Sequence, residues 1–334
     1  MNNDLTNILI DMKNNGEESR DIPGIGTVMF VREGELPFLL FIPEEIDDTE
    51  RLVVEVNNCE SKDESNFLRQ AAGTLHKGYS ILSGRAPVLV PLIPAMEVNE
   101  PYYQQLSTDM FYEKNPRNIP EEVNEVIERA LDIIEKKRAV RLDDKVFMMG
   151  YSSSGVFAQR FALFHPERID TLCVGGASGS MPIPTDSIEY PLGVGGLSSF
   201  DRDAYLSIKF RYYVGEHELV NLAHDRKDIV DGEMIDTPKP MHDMTFFPRS
   251  VNPYVGLRYR SLIGEDYFER VERLEHIYKE LGADIESTVI EGKAHKDLDV
   301  DGVHYEGVKN NEDPIIDNAY RDSVKALKDG KKFV

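Results

Sequence analysis

The chain has 334 residues, 41% of them hydrophobic, enough for a substantial core in one large α/β domain or two average ones, which argues against a disordered protein. Sixty acidic residues against 38 basic ones give a formal charge of −22, which argues against nucleic acid as a partner and against adsorption on an anionic membrane. No apolar run reaches membrane-spanning length, and the N-terminus from Met1 to Asp11 lacks a basic segment ahead of an apolar one, so no membrane partner and a cytoplasmic location are expected.

Short β-rich runs alternate with amphipathic helical runs, the pattern of a largely parallel sheet with helices on both faces. In chain order, strands are predicted over 27–31, 38–42 and 52–56, the last running into Asn57-Asn58-Cys59. A helix over 65–76 and a strand over 88–93 follow. A helix over 120–137 opens with Pro120, Glu121 and Glu122, and a first turn tolerates proline and favours acid. A strand over 145–149 and a helix over 155–164 flank Gly150-Tyr151-Ser152-Ser153-Ser154-Gly155, and a further strand covers 171–174. Residues 178–203, rich in Gly, Pro and Ser, are read as an irregular loop near the site. A strand over 210–214 enters Gly215-Glu216-His217-Glu218, and a strand over 285–290 enters Glu291-Gly292-Lys293-Ala294-His295. Between them, residues 220–266 are too long for a plain connection, so we expect a cap or lid insertion that shapes an acyl or alcohol pocket, the plainer alternative being a surface excursion. Helices over 267–281 and 317–328 complete a single domain with eight strands. Cys59 and Cys173 lie in or beside apolar strand-like segments, where free, buried thiols are expected.

Chemistry concentrates at Ser152, the apex of a predicted strand, turn and helix. A nucleophile there needs small residues two before and two after, here Gly150 and Ser154, because the strained turn brings backbones together. The helix that follows points its N-terminus at the serine, so backbone N–H groups face any oxyanion that forms. Ser153 is the rival nucleophile, but Tyr151 two residues before it would crowd the turn. A serine hydroxyl also needs a histidine to take its proton and a carboxylate to orient that histidine. In the elbow type of hydrolase the order is serine, acid, histidine, each at the C-terminal end of a strand, and the two later turns supply both in that order.

On these motifs the chain resembles the α/β-hydrolases, most of all the esterase and polyhydroxyalkanoate-depolymerase-like branch, over roughly residues 36–328. The resemblance implies an α/β-hydrolase fold with Ser152 as nucleophile, Glu218 as orienting acid and His295 as general base. That family usually has Asp at the acid position and Gly two residues after the serine, where this chain has Glu218 and Ser154. Glu216, Asp225 and Asp228 are rivals for the acid. The oxyanion hole would be formed by the backbone N–H groups of Ser153 and Cys59, with Asn58 as the second choice for the latter, since Asn57-Asn58-Cys59 stands where many relatives carry His-Gly and a small residue.

The expected activity is hydrolysis of a small or medium neutral carboxylic ester through an acyl-enzyme on Ser152, without cofactor or metal. A peptidase or thioesterase of the same fold and a catalytically silent ligand-binding relative are the alternatives. Self-association into a homo-oligomer is left open. Asp297 to Gly302 matches the opening of a calcium loop, but its twelfth position is Val308, where a bidentate Glu is needed. His217, His224 and His242 fit no compact zinc spacing, and Gly193 to Gly196 lacks the lysine and helix of a phosphate loop.

Overall fold

The computed structural model of the chain describes residues 4–57, 63–94, 103–106, 117–177, 180–216, 227–230, 233–236, 259, 261–264, 267–293 and 314–331. Its strands are β1 (Ser19–Ile22), β2 (Gly26–Val31), β3 (Phe38–Pro43), β4 (Val53–Val54), β5 (Val88–Pro91), β6 (Val146–Tyr151), β7 (Ile169–Gly175), β8 (Lys209–Gly215), β9 (Lys227–Val230), β10 (Glu233–Asp236) and β11 (Asp284–Ile290). Its helices are α1 (Leu5–Asn15), α2 (Glu64–Ile81), α3 (Ile119–Arg138), α4 (Ser153–Phe164), α5 (Arg202–Leu206), α6 (Tyr267–Glu280) and α7 (Pro314–Lys331).

Nine of the strands form one sheet in the order β1-β2-β3-β5-β4-β6-β7-β8-β11, while β9 and β10 pair separately. The pairs from β5 to β11 are parallel. The pairs among β1, β2, β3 and β5 are antiparallel. All eight expected strands are present, and among the described residues the count of eight is corrected to eleven, by β9 and β10 outside the main sheet and by β1 within it. That strand reads Ser-Arg-Asp-Ile and is half exposed along its length, so it has no apolar run to announce it. It exists because it hairpins onto β2, Ile22 opposite Gly26.

The sheet is buried on both sides. Along β3, Phe38, Leu40 and Ile42 enter one core while Leu39 and Phe41 enter the other, the period of two expected of a strand. Along β6, Val146 and Met148 take the first side, and Phe147, Met149 and Tyr151 the second. Helices α3, α4 and α6 cover the first face, and α1, α2 and α7 the second. Cys173 is free and buried in β7 as expected, whereas Cys59 lies outside the described residues.

Two rims follow from this topology. At the rim where β6 and β7 begin, the buried Arg51 guanidinium donates to Asp143 (3.1 Å), to Asp170 (3.0 Å) and to the Lys145 carbonyl (3.0 Å). Asp170 also accepts from Ser323 of α7 at 2.5 Å. Burial alone would raise the Asp170 carboxyl, but Arg51, Ser323, Thr171 and Lys209 together hold it below the usual carboxylate range. At the opposite rim the chain reverses direction: from β4 it goes to β5 on one side, then crosses to β6 on the other. The carboxyl ends of β4 and β6 therefore mark the topological switch point, where open α/β sheets bind ligands. Among the described residues no helix is long and apolar enough to cross a membrane.

The loop expected over 178–203 is irregular over 180–200, yet firmly packed. Met181, Ile183, Ile188 and Leu192 are buried in it. Tyr259 donates to the Met181 carbonyl and Tyr278 to the Pro182 carbonyl, each at 2.6 Å, and Tyr205 pairs with Tyr278 through their hydroxyls at 2.6 Å. Burial pushes the Tyr205 and Tyr278 phenols up, so both stay protonated.

Candidate active site

Ser152 stands at the switch point, between the end of β6 and the first residue of α4. Its backbone has φ 53° and ψ −115°, a region that residues with a side chain rarely enter. Three contacts hold it there. Its N–H donates to the Gly175 carbonyl at the end of β7 (3.0 Å), and its own carbonyl accepts from Val156 N–H (3.0 Å), the first bond of α4. The third is the close approach of Gly150 to the helix: a Cβ on Gly150 would lie 2.5 Å from the Ser154 carbonyl oxygen and 2.7 Å from Gly155 N. Both are backbone atoms and cannot move aside without dismantling the turn. Gly150→Ala should therefore destabilise the fold by about 3 kcal/mol, and the loss is read as a lower urea midpoint at unchanged slope.

Ser152 is partly exposed, while Ser153 and Ser154 on its helical side are buried. As N-cap of α4 it makes no side-chain capping bond, so its hydroxyl is not consumed by the helix it starts. The Ser153 hydroxyl accepts from Gln105 Nε2 at 3.0 Å, and the Gln105 carbonyl accepts from the buried Arg160 guanidinium at 2.6 Å. Gln105 closes a short 3-10 turn, Tyr103–Gln105, that packs against α4. No pattern in the sequence marks this contact.

The strand ends beyond the serine line up along the same rim. Tyr151 pairs with Gly175, Gly175 with Tyr213, and Gly215 with Ile290. The acid turn and the histidine turn are joined directly, for Glu216 Oε2 accepts from Gly292 N–H at 2.8 Å, and Glu216 N–H donates to the Ile290 carbonyl at 3.0 Å. Glu216, one of the rivals for the acid, is thus committed in part to bracing the histidine turn. On the other side of the serine, Asn57 is fully buried and clamps the end of β5. Its Oδ1 accepts from Ile93 N–H (2.9 Å) and its Nδ2 donates to the Ile93 carbonyl (3.2 Å).

Ser152 and Ser153 are thus brought to one rim, where the chain segments leading to the remaining expected residues also end. Glu218, His295, Cys59, Asn58 and Asp225 themselves lie outside the described residues, as do His217, His224, His242 and the acidic stretch 297–302. Asp228 lies in β9, opposite Ile235 of β10. Among the described residues no cluster of His, Cys, Asp and Glu is placed to hold a metal ion.

No family model and no curated protein matches the sequence. The structure is similar to that of poly(aspartic acid) hydrolase-1 from Sphingomonas sp. KT-1, with a TM-score of 0.50 and 17% identity, over 82% of this chain and 94% of that one. It is equally similar to the poly(3-hydroxybutyrate) depolymerase LpqC from Bordetella parapertussis, with a TM-score of 0.50 and 14% identity, over 80% of this chain and 84% of that one. The fold is that of the α/β-hydrolases, as the three motifs implied.

Proposed function

We propose that the chain is a serine hydrolase that cleaves a carboxylic ester through an acyl-enzyme on Ser152. The observation that carries this reading is Ser152 itself: a partly exposed serine whose hydroxyl is not used for capping, on a strained backbone at the switch point of an α/β-hydrolase sheet. Strain of this kind, about 1–3 kcal/mol, persists only where the surrounding structure enforces it and clusters at sites of chemistry.

His295 takes the Ser152 proton as the hydroxyl oxygen attacks the ester carbonyl, and Glu218 fixes the tautomer of His295 and stabilises the imidazolium. The tetrahedral oxyanion is held by the N–H groups of Ser153 and Cys59, each such donor contributing about 3 kcal/mol. Collapse expels the alcohol with a proton from His295, and a water activated by the same histidine then releases the acid. The strand spacing supports the reach this requires. β8 and β11 are two and three strands from β6, roughly 10 and 14 Å away. Glu218 is three residues beyond Gly215 and His295 five beyond Ile290, which span up to about 10 and 17 Å when extended.

The charge of −22 disfavours a polyanionic substrate such as poly(aspartic acid) and favours a neutral ester. Residues 220–266 are read as a cap over this rim, the element that would set acyl and alcohol preference. The test is labelling with a fluorophosphonate, location of the adduct by mass spectrometry, and hydrolysis of short and medium p-nitrophenyl esters. An adduct on Ser152 that tracks with lost turnover is expected. Absence of both adduct and turnover would sink the hydrolase reading and leave a silent binding protein.

A further inference from the structure

The departure at Ser154 has a structural counterpart. Where many α/β-hydrolases carry glycine, the Ser154 hydroxyl accepts from Tyr151 N–H at 2.9 Å, and its proton faces two acceptors, the Tyr151 carbonyl at 2.9 Å and Glu55 Oε1 at 3.3 Å. Glu55 follows the end of β4 and is 2% exposed, and the same oxygen forms an ion pair with Lys77 of α2, whose side chain is 6% exposed. A buried ion pair of this kind is not explained by stability, because well-packed apolar residues do as well or better. Its location gives a different reason for it.

We infer that Glu55, held by Lys77, positions the nucleophile elbow through the Ser154 hydroxyl and so ties Ser152 to the strand end that leads into the oxyanion turn. This rests on the hydrolase reading. Glu55 lies two residues ahead of Asn57, which clamps Ile93 and is the last described residue before Asn58 and Cys59. One carboxylate therefore touches the elbow on one side and, on the other, stands two residues of backbone ahead of Asn57 and its clamp on Ile93. The carboxylate competes for the Ser154 proton, and a hydroxyl turned toward it keeps an oxygen lone pair on Tyr151 N–H, the peptide immediately before the nucleophile. Neither Glu55 nor Ser154 is assigned contact with substrate, so both are positioning residues. Their effect belongs to the transition state, in which Ser152 Oγ and the oxyanion donors must act on one carbonyl group together.

The test is a double-mutant cycle on kcat with Ser154→Ala, Glu55→Gln and the pair, each rate normalised to the fraction of protein labelled by fluorophosphonate. Each single change is expected to lower kcat by about 10- to 100-fold and to leave KM within about twofold, and the pair is expected to be no worse than the worse single variant. Multiplying losses, or losses confined to KM, would overturn the inference. Ser154→Ala removes one buried hydroxyl and is the variant least exposed to failure in folding. On it, amide hydrogen exchange adds a readout that needs no turnover: faster exchange in peptides covering both 150–156 and 52–57 is expected. Faster exchange in 150–156 alone would mean that the elbow and the strand end are not tied. If the unaltered protein neither labels nor turns over, the hydrolase reading fails, and the exchange experiment still decides whether the tie exists.

Discussion

If the proposed function holds, Ser152→Ala is expected to abolish ester turnover, a fall of about a million-fold in kcat as for the lost nucleophile of a known serine hydrolase, while stability stays within about 0.5 kcal/mol of the parent. The second half of that expectation follows from the structure. The hydroxyl makes no capping bond, the N–H and carbonyl contacts to Gly175 and Val156 are backbone and survive, and alanine at φ 53° is no less strained than serine. Ser152→Gly makes the complementary point: it should be equally inactive yet more stable by about 1 kcal/mol, since glycine enters this conformation without a Cβ penalty. Ester assays and urea unfolding of the two variants separate the chemical role from the conformational one. Turnover retained by the alanine variant would remove Ser152 as nucleophile.

Glu218→Gln is expected to lower kcat by about ten-thousand-fold, because an amide in place of the carboxylate stabilises the wrong histidine tautomer and gives nothing to the imidazolium. Two neighbours serve as comparisons. Glu216→Gln should act more mildly, since its carboxylate braces Gly292 N–H, a bond an amide oxygen can still accept. Asp225→Asn should be close to silent. If steady-state rates showed the large loss at Asp225 instead, the acid would move to that position and the acid turn would be longer than the sequence suggests.

How far the sequence carries depends on the range of the interactions involved. The eight predicted strands and the helices α2, α3, α4, α6 and α7 are legible because apolar periodicity is local and the core on both faces is continuous. β1 is not, since its pairing with β2 is made by backbone bonds that ask little of its side chains. Nor are β9 and β10, which pair antiparallel but are only four residues each, too short for a sustained alternation. In the elbow, the need for glycine at 150 is legible and has its cause in the Ser154 carbonyl. Smallness at 154 is only half the account, because the hydroxyl there is engaged. Two of its contacts are local, to Tyr151, but the third is to Glu55, which meets Lys77 across 22 positions of sequence. A glutamate inside the apolar run Leu52-Val53-Val54-Glu55-Val56 is a visible anomaly, but nothing local says which cation answers it.

The Arg51 cluster is set at the far end of β6 and β7 from Ser152, a full strand length of roughly 20 Å away. The two ends of the central strands therefore differ in kind, a buried charge network at one and the strained serine at the other. Surface redesign, attachment to a support or fusion to another protein can be pursued at the Arg51 end without entering the neighbourhood where esters would be handled. Work on substrate range belongs at the opposite pole, among the turns that follow β4, β6, β8 and β11.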